Sequence, residues 1–99
     1  MQIEKRLDDG IFTLKVIGRL DTNTSPELES ELAFDGVGEF VFDFSDLEYI
    51  SSAGLRVLMA VQKQMTANGG KMSVRNPNAT VKGVLDITGM SSVFNIVEG

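Results

Sequence analysis

Neither cysteine nor histidine occurs in this 99-residue chain. Without cysteine there is no disulfide framework and no thiolate metal site. Without histidine the chain lacks the commonest metal ligand and the usual general base near neutral pH. A Ser-His-Asp or Cys-His catalytic site therefore cannot be assembled. Carboxylates could still hold a hard cation, but no residue pattern asks for a metal or a cofactor, and no enzymatic activity is expected. Basic residues are also in the minority. Nine Lys and Arg stand against 14 Asp and Glu, a formal net charge of −5, and this argues against a nucleic-acid partner, because affinity for phosphate backbones comes mainly from clustered Lys and Arg. No apolar run approaches the roughly 18 residues that span a bilayer. The opening Met-Gln-Ile-Glu-Lys-Arg also lacks the apolar core of a secretory signal. No membrane partner is expected, and the expected location is the cytoplasm.

What remains is an ordinary globular composition, 42% hydrophobic, with room for one domain over residues 1–99 and one core. Residues 2–8 form a weak first strand before the turn signal Asp8-Asp9-Gly10. Ile11 to Leu20 alternates as a second strand, so the two read as a hairpin. Thr24 or Ser25 can cap a short helix that carries Pro26, Glu27, Leu28 and Leu32 and ends before Gly36. Phe40 to Phe44 reads as a central strand, followed by a short polar loop from Ser45 to Ile50. The longest helix runs from Ser51 to Asn68, with Gly54, Leu58, Val61 and Met65 on its buried stripe, and Asn68-Gly69-Gly70 stops it. A strand at Lys71 to Arg75, a helix at Ala79 to Ile87 and a short strand in Val93 to Val97 complete the order β-β-α-β-α-β-α-β. That order implies an α/β fold with a mixed, mostly parallel sheet and helices packed mainly on one face.

One segment draws attention for its chemistry: Asp46-Leu47-Glu48-Tyr49-Ile50-Ser51-Ser52-Ala53-Gly54-Leu55-Arg56. Two hydroxyls sit where the longest helix begins, where free backbone N–H groups and the helix dipole favour negative charge. Ala53 and Gly54 would let a partner approach closely. The plain alternative is that a serine here is only a helix cap. Asp21 has the same ambiguity: it is a turn or capping aspartate, or it lies beside the Ser52 loop at the same sheet edge. As a surface carboxylate its removal is expected to change stability by no more than about 0.5 kcal/mol. Asn76-Pro77-Asn78 is expected at that edge as well, the usual place for partner sites in open α/β sheets.

The combination Gly18-Arg19-Leu20-Asp21 with Phe42-Asp43-Phe44-Ser45 and Ser51-Ser52-Ala53-Gly54-Leu55 resembles the STAS domains of bacterial anti-sigma factor antagonists. The likeness extends over essentially the whole chain, through Asn68-Gly69-Gly70 and the Asn76-Pro77 loop. It implies an antagonist that binds an anti-sigma factor serine kinase while unphosphorylated, releasing the sigma factor. Phosphorylation of Ser52, the residue two before Gly54, would turn it off, and a PP2C-type phosphatase would reset it. Asp21, Ser51, Ser52, Ala53 and Gly54 are then the expected partner-binding residues. Two positions depart from the pattern: Ser51 stands where relatives carry aspartate, and Ala53 where they carry Ser or Thr. The alternative within the same resemblance is a non-phosphorylated STAS adaptor or scaffold subunit of a transport or stress-signalling complex. A nucleotide-binding domain has little support, because no Walker-type segment is present.

Overall fold

Asp9 and Gly10 both take positive φ, 54° and 79°, the paired left-handed conformation of a tight hairpin turn that Asp-Gly adopts readily. The turn joins strand β1 (Gln2–Asp8) to strand β2 (Ile11–Leu20), which pair antiparallel. These belong to a computed structural model that describes residues 1–99. The remaining elements are helix α1 (Ser25–Ser30), strands β3 (Glu39–Asp43) and β4 (Leu47–Ile50), helix α2 (Ser52–Ala67), strand β5 (Lys71–Arg75), helix α3 (Ala79–Ile87), a 3-10 turn at Met90–Ser92, and strand β6 (Asn95–Val97).

The sheet is mixed and mostly parallel, ordered β1-β2-β3-β5-β6, with β1 as the antiparallel member. Strand β2 serves two partners. Ile11 to Lys15 pair with β3, and Gly18 to Leu20 pair with β4. The change falls at Gly18, where the register shifts and φ is 105°. A side chain would resist that conformation, so the glycine sits inside the strand as its bend and does not end it.

Strand β4 lies in the segment expected to be a polar loop. Its buried Leu47 and Ile50 flank the exposed Glu48 and the half-buried Tyr49. Four residues between Asp46 and Ser51 are too few for periodicity to separate a strand from a loop. The sheet therefore has six strands, one more than the pattern predicts. Helix α1 is also shorter than expected. It stops at Ser30, Leu28 is fully buried, and Leu32 lies past the helix, only partly covered.

Alternation on β2 sends Phe12, Leu14 and Val16 inward and leaves Ile11, Thr13 and Lys15 on the open side. On β3, Phe40 and Phe42 face the same core, and Phe44 continues the row. Ring centroids are 5.1 Å apart for Phe12–Phe40, 5.0 Å for Phe40–Phe42 and 5.8 Å for Phe42–Phe44, within the range of favourable aromatic pairs. Helix α2 covers this surface, packing on β3, β4 and β5 and against α1, while α3 covers β4. Its stripe of Gly54, Leu58, Val61 and Met65 is buried as the spacing predicts. Gly69, at φ 76°, ends the helix, and the Gly70 N–H donates to the Met65 carbonyl at 2.8 Å. No helix is long and apolar enough to cross a membrane.

Two glycines within helices test this packing with opposite signs. A Cβ on Gly54 would stand 2.8 Å from Leu20 Cγ and 2.9 Å from Ile50 Cγ1, so alanine there overpacks the core, at about 1–3 kcal/mol. A Cβ on Gly83, inside α3, meets nothing within 4 Å, so alanine there gains about 1 kcal/mol of helix propensity. Urea unfolding should show Gly54→Ala less stable than wild type and Gly83→Ala more stable. A stabilised Gly54→Ala would mean that α2 does not need its close approach to β2 and β4.

Candidate functional site

Leu20 at the end of β2 lies opposite Ile50 at the end of β4, in parallel register, and the Ser51 N–H donates to the Leu20 carbonyl at 2.9 Å. The residues that follow both strands therefore emerge side by side. This brings Asp21 to the rim occupied by Ser51 and Ser52. The 76–78 loop does not join them. Asn78 caps α3 by accepting from the Val81 N–H at 2.8 Å and donates to the Leu47 carbonyl at 3.0 Å, which ties it to the opposite end of β4.

Asp21 is not a free surface carboxylate. One carboxylate oxygen accepts from the N–H groups of Asn23 at 3.0 Å and Thr24 at 3.1 Å, and from the Thr24 hydroxyl at 3.2 Å. Thr24 Oγ1 in turn accepts from the Asp21 N–H at 2.9 Å. This reciprocal turn satisfies donors at the entry to α1, where the N-cap Thr24 makes no cap bond of its own. The bond from the Thr24 N–H is the largest influence holding the Asp21 pKa below the ordinary 3.8. The Asn23 N–H, the Thr24 hydroxyl and the Arg19 guanidinium act in the same direction. The second carboxylate oxygen lies 3.9 Å from Arg19 Nε.

Ser51 occupies the N-cap position of α2, with φ −101° and ψ 177°, yet its side chain caps nothing. Its Oγ is buried without a hydrogen-bond partner, so the expected serine cap is not made. The first N–H groups of α2 are left without a side-chain acceptor, and no acidic residue stands in that turn. Ser52 is the first helical residue, not the cap, and it is exposed. Ala53 is half-buried beside it. Gly54 is buried, and the side of the helix it leaves bare faces Leu20 and Ile50. The missing side chain thus admits the strands to the helix and does not open a path for a partner.

Two residues of this rim were not singled out from the sequence. Arg19 and Tyr49 are register partners across β2 and β4, and the guanidinium carbon sits 4.6 Å from the ring centroid, a cation–π contact. Recognising β4 as a strand would have paired them. Beyond Ser52, Arg56 lies exposed beside a shallow groove of about 220 Å³ that it lines with Glu29, Leu32, Val57 and Ala60. A larger depression of about 280 Å³ lies on the open face of the sheet and contains none of the site residues.

The fold and rim define a small α/β domain that presents one exposed hydroxyl on the uncapped first turn of its main helix. The STAS domain model matches residues 2–98, and the chain belongs to the STAS domain family. Among curated relatives, BtrV of Bordetella bronchiseptica is 34% identical over 91 residues, covering 89% of this chain and 78% of BtrV. The anti-sigma-B factor antagonist of Staphylococcus aureus is 26% identical, covering 100% and 94%. Two solved structures share the fold. TM1081 of Thermotoga maritima superposes with a TM-score of 0.89 at 22% identity, covering 98% of this chain and 86% of that one. The phosphorylated form of SpoIIAA from Bacillus gives 0.73 at 14% identity, covering 99% and 91%.

The geometry separates substitutions at two positions, Asp21 and Ser52, in stability alone. Asp21→Ala should melt below wild type at neutral pH, and Asp21→Asn, which keeps an acceptor oxygen, should recover part of the loss. Because the folded pKa of Asp21 is depressed, its stabilising effect is fully present above pH 3.8 and is lost as pH falls through the lowered value. The gap between Asp21→Ala and wild type should therefore close in acid. Ser52→Ala should stay within about 0.5 kcal/mol of wild type, since no cap is lost. Thermal melts from pH 7 to pH 2 check all three. An Asp21→Ala melt equal to wild type at pH 7 would show that the turn forms without the carboxylate.

Proposed function

We propose that this chain is an anti-sigma factor antagonist that works as a phosphorylation-controlled docking module. The observation that carries the reading is the exposed Ser52 hydroxyl on the uncapped, acid-free first turn of α2, beside Asp21. Membership of the STAS family and relatives named as anti-sigma factor antagonists support it. In the unmodified state the rim of Asp21, Ser51, Ser52 and Ala53, backed by the buried Gly54, docks on an anti-sigma factor that is also a serine kinase. Docking occupies that factor and frees the sigma factor.

Transfer forms a bond between Ser52 Oγ and the γ-phosphorus of ATP while the bond to ADP breaks. The hydroxyl proton leaves to a base of the kinase, because this chain offers no histidine. The product carries about −1.5 to −2 further charges at neutral pH, on a protein whose formal net charge is already −5. The phosphate meets free N–H donors at the helix start, so the fold tolerates it. A partner surface packed against Ser52 does not. A loss of about 3 kcal/mol in docking is roughly a hundredfold in affinity, enough to release a micromolar complex. A PP2C-type phosphatase restores the hydroxyl.

The position of Ser52 makes the test clean, because neither Ser52→Ala nor Ser52→Asp removes a cap. Ser52→Ala should fold about as stably as wild type, and Ser52→Asp slightly more stably, by the roughly 0.3–1 kcal/mol that an acid near the helix start gains from the dipole. Ser52→Ala should keep its affinity for the anti-sigma factor and take no phosphate from ATP. Ser52→Asp should bind at least about tenfold more weakly, its single charge acting less than phosphate. Calorimetry measures the affinities, and fragment-ion mapping of the wild type locates the phosphate. Tight binding of all three proteins with no transfer would identify an adaptor subunit. A phosphate on Ser51 would move the switch by one residue.

A further inference from the structure

Helix α2 carries a cation one turn after Ser52, and the structure gives that cation no other task. Arg56 is exposed and enters none of the molecule's ion pairs or side-chain hydrogen bonds. Glu29 shares its groove without approaching to salt-bridge distance. The other arginine of the rim is occupied: Arg19 lies over the Tyr49 ring and near Asp21.

Residues 52 and 56 are four apart on a regular helix, so their Cβ atoms lie about 5–6 Å from one another on one face. Side chains on a helix lean toward its N-terminus. A long side chain at 56 therefore reaches back over 52, whereas the reverse spacing would carry it away. The guanidinium fork matches two phosphate oxygens at once, and a lysine at the same place would act only as a point charge. The first turn of α2 contains no acid to compete.

We propose that Arg56 is the built-in counter-ion of phosphorylated Ser52. This rests on the reading of Ser52 as the modified residue and assigns a second consequence to the modification. While Ser52 is unmodified, Arg56 borders the α1–α2 groove with Leu32, Val57 and Ala60 and offers an anionic partner surface a cation. Once Ser52 carries phosphate, Arg56 folds back onto it. The docking surface then gains an anion and loses its free cation in one event, and the phosphorylated domain becomes the more stable form.

The test installs phosphoserine at position 52 during translation, so it needs no kinase and stands apart from the question of which residue a kinase selects. Phosphorus NMR follows the second ionisation of the phosphate across pH 4–8 in the wild type, Arg56→Lys and Arg56→Gln. Asp21, Arg19, Glu29 and Glu48 are the same in all three. The wild-type midpoint should fall below the ordinary value of about 6. Arg56→Gln should lie at least about 0.5 pH unit higher, about threefold in the ionisation constant, and Arg56→Lys between them. Melting temperatures should show phosphorylation stabilising the wild type more than Arg56→Gln, while the unmodified pair melt alike. Equal midpoints in the three proteins would overturn the proposal and leave the phosphate to the helix N–H groups alone. A normal Arg56 effect with a kinase that ignores Ser52 would instead sink the proposed function and leave the ion pair standing.

Discussion

The short parallel pairing of Gly18–Leu20 with Leu47–Ile50 is the constraint on which the rest of this rim depends. Strand β2 can reach β4 only because Gly18 bends it away from β3. Helix α2 can start directly after β4 only because Gly54 has no Cβ to strike Leu20 and Ile50. Those two glycines act at the ends of one mechanical unit. Without the bend, Gly18 to Leu20 would lose their pairing with β4, and Asp21 would no longer emerge beside Ser51. Without the close approach, the head of α2 would be pushed off the sheet and Ser52 with it.

The same unit explains why Asp21 serves both the fold and the proposed site. Its carboxylate accepts three hydrogen bonds that close the turn into α1, and they use mainly one of its two oxygens. The other faces Arg19 at a loose 3.9 Å. A partner can meet that second oxygen without disturbing the turn. A structural aspartate and a docking aspartate are therefore compatible, provided that the effect of its removal on affinity is judged against its effect on stability.

Elements with strong local signals were legible in the sequence. Asp9-Gly10 dictated a hairpin, the Phe40 to Phe44 row dictated a core strand, and the spacing of Leu58, Val61 and Met65 dictated the covering helix. What the sequence concealed were features set by tertiary contact. Strand β4 holds only four residues, and its strand character comes from pairing with β2. Gly18 lies within the expected strand, but nothing local marks it as the point where β2 changes partner; its φ of 105° and the register shift appear only once β2 pairs with β4. Ser51 reads as a cap from its type and place, yet burial of its hydroxyl turns it from that role. Ser52 and Asp21 were visible as candidates through their residue types and position, whereas the Arg19–Tyr49 contact required the unseen strand.

Under the proposed switch, stability and docking respond to the same phosphate with opposite signs. A phosphate on the first turn of α2 meets free N–H groups and a favourable dipole, an effect of about 0.3–1 kcal/mol at an exposed site. It therefore needs no rearrangement of the core, and the 21-residue apolar cluster beneath stays as it is. The cost falls on the partner, which must desolvate that charge or withdraw from it. A domain this small has few spare kilocalories to spend on refolding, since natural domains are stable by only about 0.05–0.15 kcal/mol per residue. Placing the modified hydroxyl where the fold accepts negative charge confines the change to the surface and keeps the phosphorylated protein intact for the phosphatase.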